Sequence, residues 1–213
     1  LLPPEAYVSP QWFEREKRAL HSRAWTYAGA TTDFPEVGDF TTVQCGIHSL
    51  FVVRNETGDL AAFHNRCRHR GTELLEGQGN TGRAVVCPYH RWNYRLDGSL
   101  RGMPAKKECF PTLDLDAFPL HRAAVAELGG LVFVHPDASA TDQFDTWIGP
   151  VTTAMWPHDV TDLVAGEPIV YELKANWKIY FENAVDGYHL AYLHENTQIG
   201  RATSELQSPD HLV

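Results

Sequence analysis

Cysteine is scarce in this sequence, four in 213 residues. That is too few for the disulfide lattice that staples small secreted domains. Basic charge is short as well. Eighteen Lys and Arg stand against 27 Asp and Glu, a formal charge of −9, whereas nucleic-acid binding wants basic patches. No apolar run approaches the ~20 residues that span a bilayer. The opening Leu1-Leu2-Pro3-Pro4 has no basic n-region and too short an apolar stretch for a secretory signal. Internal repeats and low-complexity tracts are missing. These absences leave a cytoplasmic globular protein as the expectation. With 43% apolar residues, the chain can pack one or two domains.

Short strands dominate the first two thirds. Ser9-Pro10 predicts a helix with Ser9 as N-cap and Pro10 at N1, running to about Leu20 and burying Phe13 and Leu20. Its charges from Glu14 to Arg18 read as a solvated face. From Gly38 the texture is β-branched and aromatic, with strands at Asp39–Gln44, His48–Arg54 and Leu60–Asn65. A Gly-rich loop from Gly77 to Gly82 leads to the strand Ala84-Val85-Val86. Asn93–Leu96 and Leu100 flank the turn Asp97-Gly98-Ser99, and His121–Glu127 with Leu131–His135 make a last strand pair. Residues 136–166 read as loops with packed patches at Trp147, Ile148, Met155 and Trp156. Ile169–Leu173 reads as a strand. Asn176 then caps a helical run to about His194.

Two short motifs carry chemistry. Cys67-Arg68-His69 and Cys87-Pro88-Tyr89-His90 each offer one thiolate and one imidazole. Zinc accepts two Cys and two His tetrahedrally. A Rieske [2Fe-2S] cluster takes two Cys on one iron and two His on the other. Zinc fingers usually pair like with like, while here each loop gives one of each. That pairing favours a two-iron cluster held between loops, with zinc as the alternative. Neutral imidazole in place of thiolate removes negative charge, lifting the potential to roughly −150 to +300 mV. The other two cysteines, Cys45 and Cys109, read as reduced, partly buried hydrophobes.

The second motif lies in the helical run. Glu182, Asp186 and His189 fall on one helix face. His194 is five residues beyond His189, roughly 140° round an ideal helix at about 100° per residue. For both histidines to meet one metal, the helix must widen or break, with Gly187 and a π-bulge as suspects.

The run Cys67-Arg68-His69-Arg70-Gly71 and the run Cys87-Pro88-Tyr89-His90-Arg91-Trp92, with Tyr94 and Asp97-Gly98 behind, resemble the Rieske domain of Rieske non-haem iron oxygenases, the large subunits of ring-hydroxylating dioxygenases and related monooxygenases. Asn176-Trp177-Lys178 followed by Glu182-Asn183, Asp186, His189 and His194 is similar to that family's mononuclear iron motif. The resemblance implies an α+β protein: residues 1–37 a helix and lead-in packing on the catalytic domain, 38–137 an all-β Rieske domain of short antiparallel strands, 138–165 connecting loops, and 166–213 the start of a helix-on-sheet catalytic domain. By the same resemblance Cys67 and Cys87 bind one iron, His69 and His90 the other, and His189 and His194 bind Fe(II). Trp92 would shield the cluster, although a core aromatic on a strand is an equally good reading. Asp186 would bridge, bonding His189 and, across a subunit interface, a cluster histidine, His90. The family often has Gly where this sequence has Arg91. Its third iron ligand is a carboxylate far downstream. Glu195, Glu205 and Asp210, within nineteen residues after His194, match no family position.

The implied activity is that of an oxygenase component, in which two histidines and a carboxylate leave iron positions open for dioxygen and substrate. Electrons would come from NAD(P)H through a reductase, with or without a ferredoxin, and the assembly would be a homotrimer, with or without a small subunit. An aromatic ring to be dihydroxylated is the first substrate expectation. N-demethylation of a quaternary ammonium compound is the second, because Leu2 to Ala30 is similar to those monooxygenases. The rivals are a Rieske electron carrier without oxygenase activity and a zinc-stabilised binding module.

Overall fold

The computed structural model describes residues 2–155, 166 and 169–194. Contacts divide the chain into two units, Phe13–Pro168 and Leu1–Trp12 with Ile169–Val213. The first unit is built on ten strands: β1 (Thr26–Ala30), β2 (Asp39–Cys45), β3 (His48–Arg54), β4 (Leu60–His64), β5 (Gln78–Asn80), β6 (Val85–Val86), β7 (Asn93–Tyr94), β8 (Leu100–Gly102), β9 (Arg122–Leu128) and β10 (Leu131–His135). Seven form an antiparallel sheet in the order β1-β10-β9-β4-β3-β2-β5. The sheet curls until β1 lies against β2. β6, β7 and β8 form a second, three-stranded antiparallel sheet.

The sequence of β3 explains where the cores sit. Leu50, Phe51, Val52 and Val53 are all fully buried, and successive strand side chains point to opposite faces. Leu50 and Val52 join Ala28, Phe34, Ala62, Val132 and Val134 inside the curl. Phe51 and Val53 join Phe63, Val85, Tyr94, Leu96 and Leu100 between the two sheets. A strand covered on both faces reads as a continuous apolar run, and each such side chain contributes about 1.5–3 kcal/mol. Cys67 and Cys87 belong to the second core, so the packing of the small sheet on the large one is what holds the two cysteine loops together.

Several elements depart from the sequence expectations. The helix after Ser9 forms, as α2 (Pro10–Ala19) behind α1 (Glu5–Val8), and Ser9 Oγ accepts from Trp12 N. Phe13 and Leu20, expected inside, are 40% and 52% exposed, while Glu16, expected in solvent, is buried. β1 arises in the expected lead-in by pairing with β10. Gln78–Asn80, read as Gly-rich loop, becomes β5 by pairing with Asp39–Thr41. A short helix, α3 (Lys106–Cys109), leaves Cys109 exposed rather than partly buried. Residues read as loop after Pro136 include α4 (Phe144–Met155), which seats Phe144 and Ile148 against Trp25 and Ala124. Pro150 inside it removes one helical bond, and with Gly149 it hid the helical pattern. Trp156 lies outside the described residues. Ile169–Leu173 is not a strand and is largely exposed.

In the other unit, Asn176 caps α5 (Trp177–Val185) by accepting from Lys178 N at 3.1 Å. The same side chain donates to Tyr7 O at 3.1 Å, and Tyr7 Oη donates to Glu182. The helix stops at Val185 and resumes as α6 (Leu190–Leu193). No described helix is long and apolar enough to cross a membrane.

Candidate metal centres

The two cysteine loops are built alike. In the first, between β4 and β5, Gly71 N donates to Cys67 O and Cys67 N to Thr72 O. In the second, between β6 and β7, Arg91 N donates to Cys87 O and Cys87 N to Trp92 O. Each loop turns back on its cysteine through a residue with positive φ, Gly71 at 73° and Arg91 at 59°. The shared turn aims both histidines the same way. The rings of His69 and His90 lie 4.7 Å apart, and the two thiols are neighbours within hydrogen-bonding reach.

The surroundings differ from one ligand to the next. Cys67 and Cys87 are almost fully buried. Burial pushes the Cys67 thiol up, and a bond from Tyr94 pulls the other way. Tyr94 Oη stands 3.3 Å from Cys67 Sγ and accepts from Arg68 N at 3.0 Å. With its oxygen engaged by that N–H, the hydroxyl has its proton free for the sulfur. Burial first, and then the thiol, hold the phenol well above its ordinary range, so it stays a donor. His69 stacks on Trp92 at 5.0 Å and 5° and meets the edge of Phe110 at 5.9 Å. Trp92 thus covers His69 and is a core aromatic at once. His90 is covered by Tyr89, 3.7 Å away and itself exposed.

His69 Nδ1 is buried and has no hydrogen-bond partner among the described residues. An orphaned buried polar atom costs about 1–3 kcal/mol. Beside two buried thiols and a second imidazole, a metal would satisfy it. Two soft sulfur and two nitrogen donors are the set a two-iron cluster needs.

The second constellation forms where the helix breaks. Asp186 is extended, with φ −77° and ψ 95°. Its Oδ1 accepts from Tyr188 N at 2.9 Å and its Oδ2 lies 3.2 Å from His189 Nδ1. These contacts, Tyr188 N first, hold the carboxyl below its usual range. Because a carboxylate only accepts, His189 presents an Nδ1–H to Asp186. After the break, the His189 and His194 rings come within 5.3 Å. The expected interruption is present, as an Asx-type turn rather than a π-bulge, and Gly187 needs no left-handed φ for it. Glu182 is turned to Tyr7 instead. Among the described residues, no three His, Cys, Asp or Glu converge on one ion. Glu195, Glu205 and Asp210 lie outside the described residues.

Sequence reasoning assigned no role to the contacts of Tyr94 and Phe110. Tyr94 entered only as part of the motif and Phe110 not at all, and their contacts depend on strands and loops brought together by the second core.

Residues 24–122 match the Rieske [2Fe-2S] domain family, and residues 160–211 match the ring hydroxylating alpha subunit catalytic domain. The glycine betaine monooxygenase oxygenase subunit of Chromohalobacter salexigens is 36% identical over 192 residues, 88% of this chain and 42% of that protein. The anthranilate 1,2-dioxygenase large subunit of Acinetobacter baylyi is 31% identical over 198 residues, 90% of this chain and 42% of that one. The crystal structure of naphthalene 1,2-dioxygenase from Rhodococcus sp. bound to indole superposes with a TM-score of 0.80 at 29% identity, covering 91% of this chain and 46% of that chain. The chain spans a little under half the length of these relatives.

Proposed function

Since the chain belongs to the Rieske non-haem iron oxygenases, matching the N-terminal part of their large subunits, we propose that it is the oxygenase component that carries electrons to a mononuclear iron and inserts dioxygen-derived oxygen into an organic substrate. The carrying observation is the buried pair Cys67 and Cys87 beside His69 and His90, with His69 Nδ1 lacking a hydrogen-bond partner among the described residues. When bound, a [2Fe-2S] cluster supplies one-electron transfer and a ferrous ion supplies dioxygen activation.

The chain's own groups divide the work. Cys67 and Cys87 would hold the cluster through their sulfurs, and His69 and His90 through ring nitrogens. Tyr94 donates its proton toward Cys67 Sγ, which steadies charge on that sulfur. Trp92 and Phe110 cover His69, and Tyr89 covers His90. Asp186 fixes the His189 tautomer, and His189 with His194 holds Fe(II). In a homotrimer, Asp186 would also accept from His90 of the partner subunit. The third ligand would be a carboxylate, which the described residues do not supply. A reductase fed by NAD(P)H, directly or through a ferredoxin, supplies the electrons, and the enzyme works in the cytoplasm.

Dihydroxylation of an aromatic ring is one reading of the substrate. The 36% identity to a glycine betaine monooxygenase subunit supports a second, N-demethylation of a quaternary ammonium compound. Metal analysis with EPR tests the core of the proposal. Three irons per full-length chain and the low-g signal of a Rieske centre are expected. Two irons would leave an electron carrier, and a colourless zinc protein would overturn both. Product analysis with an aromatic acid and with glycine betaine separates the substrate classes.

A further inference from the structure

Asn65 is an unusual residue to find at the heart of the fold. It is a polar side chain with no exposure at all, two residues before Cys67. Every polar atom of its carboxamide is used. Oδ1 accepts from Leu74 N at 3.1 Å and from Leu75 N at 3.0 Å. Nδ2 donates to Leu75 O at 2.7 Å, to Glu73 Oε1 at 3.2 Å and to Ser49 Oγ at 3.3 Å. Its backbone N donates to Ser49 O at 2.9 Å.

These bonds share one purpose. Residues 65–75 form the loop that carries Cys67 and His69, and the carboxamide joins the loop's start to its end. Ser49 and Glu73 tie that joint to β3, because Ser49 Oγ donates to Glu73 Oε1 at 2.6 Å. Burying an amide is tolerable only with its bonds made, so the loop has one arrangement that satisfies it. Among the described residues no buried side-chain amide clamps the Cys87 loop, which lies between β6 and β7.

We propose that Asn65 is a positioning residue for the cluster: its buried carboxamide sets where Cys67 and His69 sit, and so sets the cluster's lifetime and electronic signature. This rests on the reading of Cys67, His69, Cys87 and His90 as cluster ligands. Small displacements of ligands and of the bonds to them move the properties of a metal site, and Asn65 controls two of the four ligands.

The test uses the full-length protein reconstituted with iron and sulfide. Asn65→Ala should lose its cluster to a chelator at least about tenfold faster than the wild type and shift the EPR g-values and midpoint potential. Asn65→Asp keeps the acceptor for Leu74 N and Leu75 N, and should fall between the two. Asn55→Ala is the control. Asn55 Oδ1 clamps a distant hairpin by accepting from Thr57 N and Asp59 N, so its loss should lower stability without moving g-values or potential. Wild-type cluster lifetime and spectra in Asn65→Ala would overturn the proposal, as would equal spectral changes in Asn55→Ala. Should Asn65→Ala fail to fold, Glu73→Ala decides. Glu73 is exposed, and its removal should speed cluster loss severalfold, whereas no change would overturn the idea. A wild-type protein that takes up no cluster would instead overturn the ligand assignment itself.

Discussion

Arg91 holds a conformation that favours glycine. Its φ of 59° is what lets the second loop turn back on Cys87. A left-handed residue with a Cβ costs roughly 1–2 kcal/mol, while glycine costs about 0.5–1 kcal/mol in lost chain freedom. The first term wins, so Arg91→Gly should stabilise the protein by about 0.5–1 kcal/mol in denaturant melts. Gly98 gives the opposite case. Its φ is 87°, and an added Cβ would lie 2.3 Å from the ring of Phe63, which is buried. Strain and overpacking then add, so Gly98→Ala should cost about 2–4 kcal/mol. Histidines contribute a pH dependence. Burial first, then His64 and Arg66, hold His48 below its ordinary value, and burial with Arg68 does the same for His121. The unfolded chain therefore binds more protons in the window below about pH 6.5, and stability falls as pH drops through it. His48→Gln should flatten that acid-side loss in melts between pH 7.5 and 5.5, and an unchanged slope would refute the assignment.

At the scale of elements, the broken helix is the informative one. Its apolar and aromatic pattern reads as continuous from Asn176 to His194, yet the helix stops at Val185. The winning effect is local competition. Asp186 offers Tyr188 N a side-chain acceptor, and such bonds draw the backbone out of helix. Asp186→Asn keeps an acceptor for Tyr188 N, and with it the turn, but replaces the carboxylate that faces His189 Nδ1. Both metals should remain bound, while single-turnover electron transfer to the second iron slows by about tenfold or more. Wild-type rates in that variant would sink the bridging role. The same competition between local and distant terms decided what could be read from sequence. Cys67, His69, Cys87 and His90, which the fold brings together, stood out in the sequence because short spacings and turn residues fix them locally. β3 was legible because both faces are covered by core. β1 and β5 were not, since pairing with β10 and β2 creates them from stretches of weak propensity. Phe13 and Glu16 were misplaced because helix periodicity names an apolar stripe but not which side of it finds a partner.

Across the whole molecule the charge is unevenly shared. Residues 66–110, which bear the cluster loops, hold nine Lys and Arg and four Asp and Glu, and the remaining 168 residues hold nine and 23. The fold keeps much of this positive charge outside, since Arg66, Arg70, Arg91, Arg95, Arg101 and Lys107 are exposed. A basic island in an acidic protein attracts anions to one region and repels them from the rest. Such a field raises encounter rates by about 10–10³ at low salt, and it fades once the Debye length shrinks to about 10 Å at 0.1 M. An acidic electron carrier should therefore reduce the cluster at a rate that falls steeply with ionic strength. Changing Arg70 and Arg91 to Gln removes two of the charges closest in sequence to His69 and His90, and should reduce both the rate at low salt and its salt slope. Changing Arg101 alone should do less. A rate in the wild type that is indifferent to salt would mean that the island plays no part in delivering electrons, and that the docking face lies among the acidic residues instead.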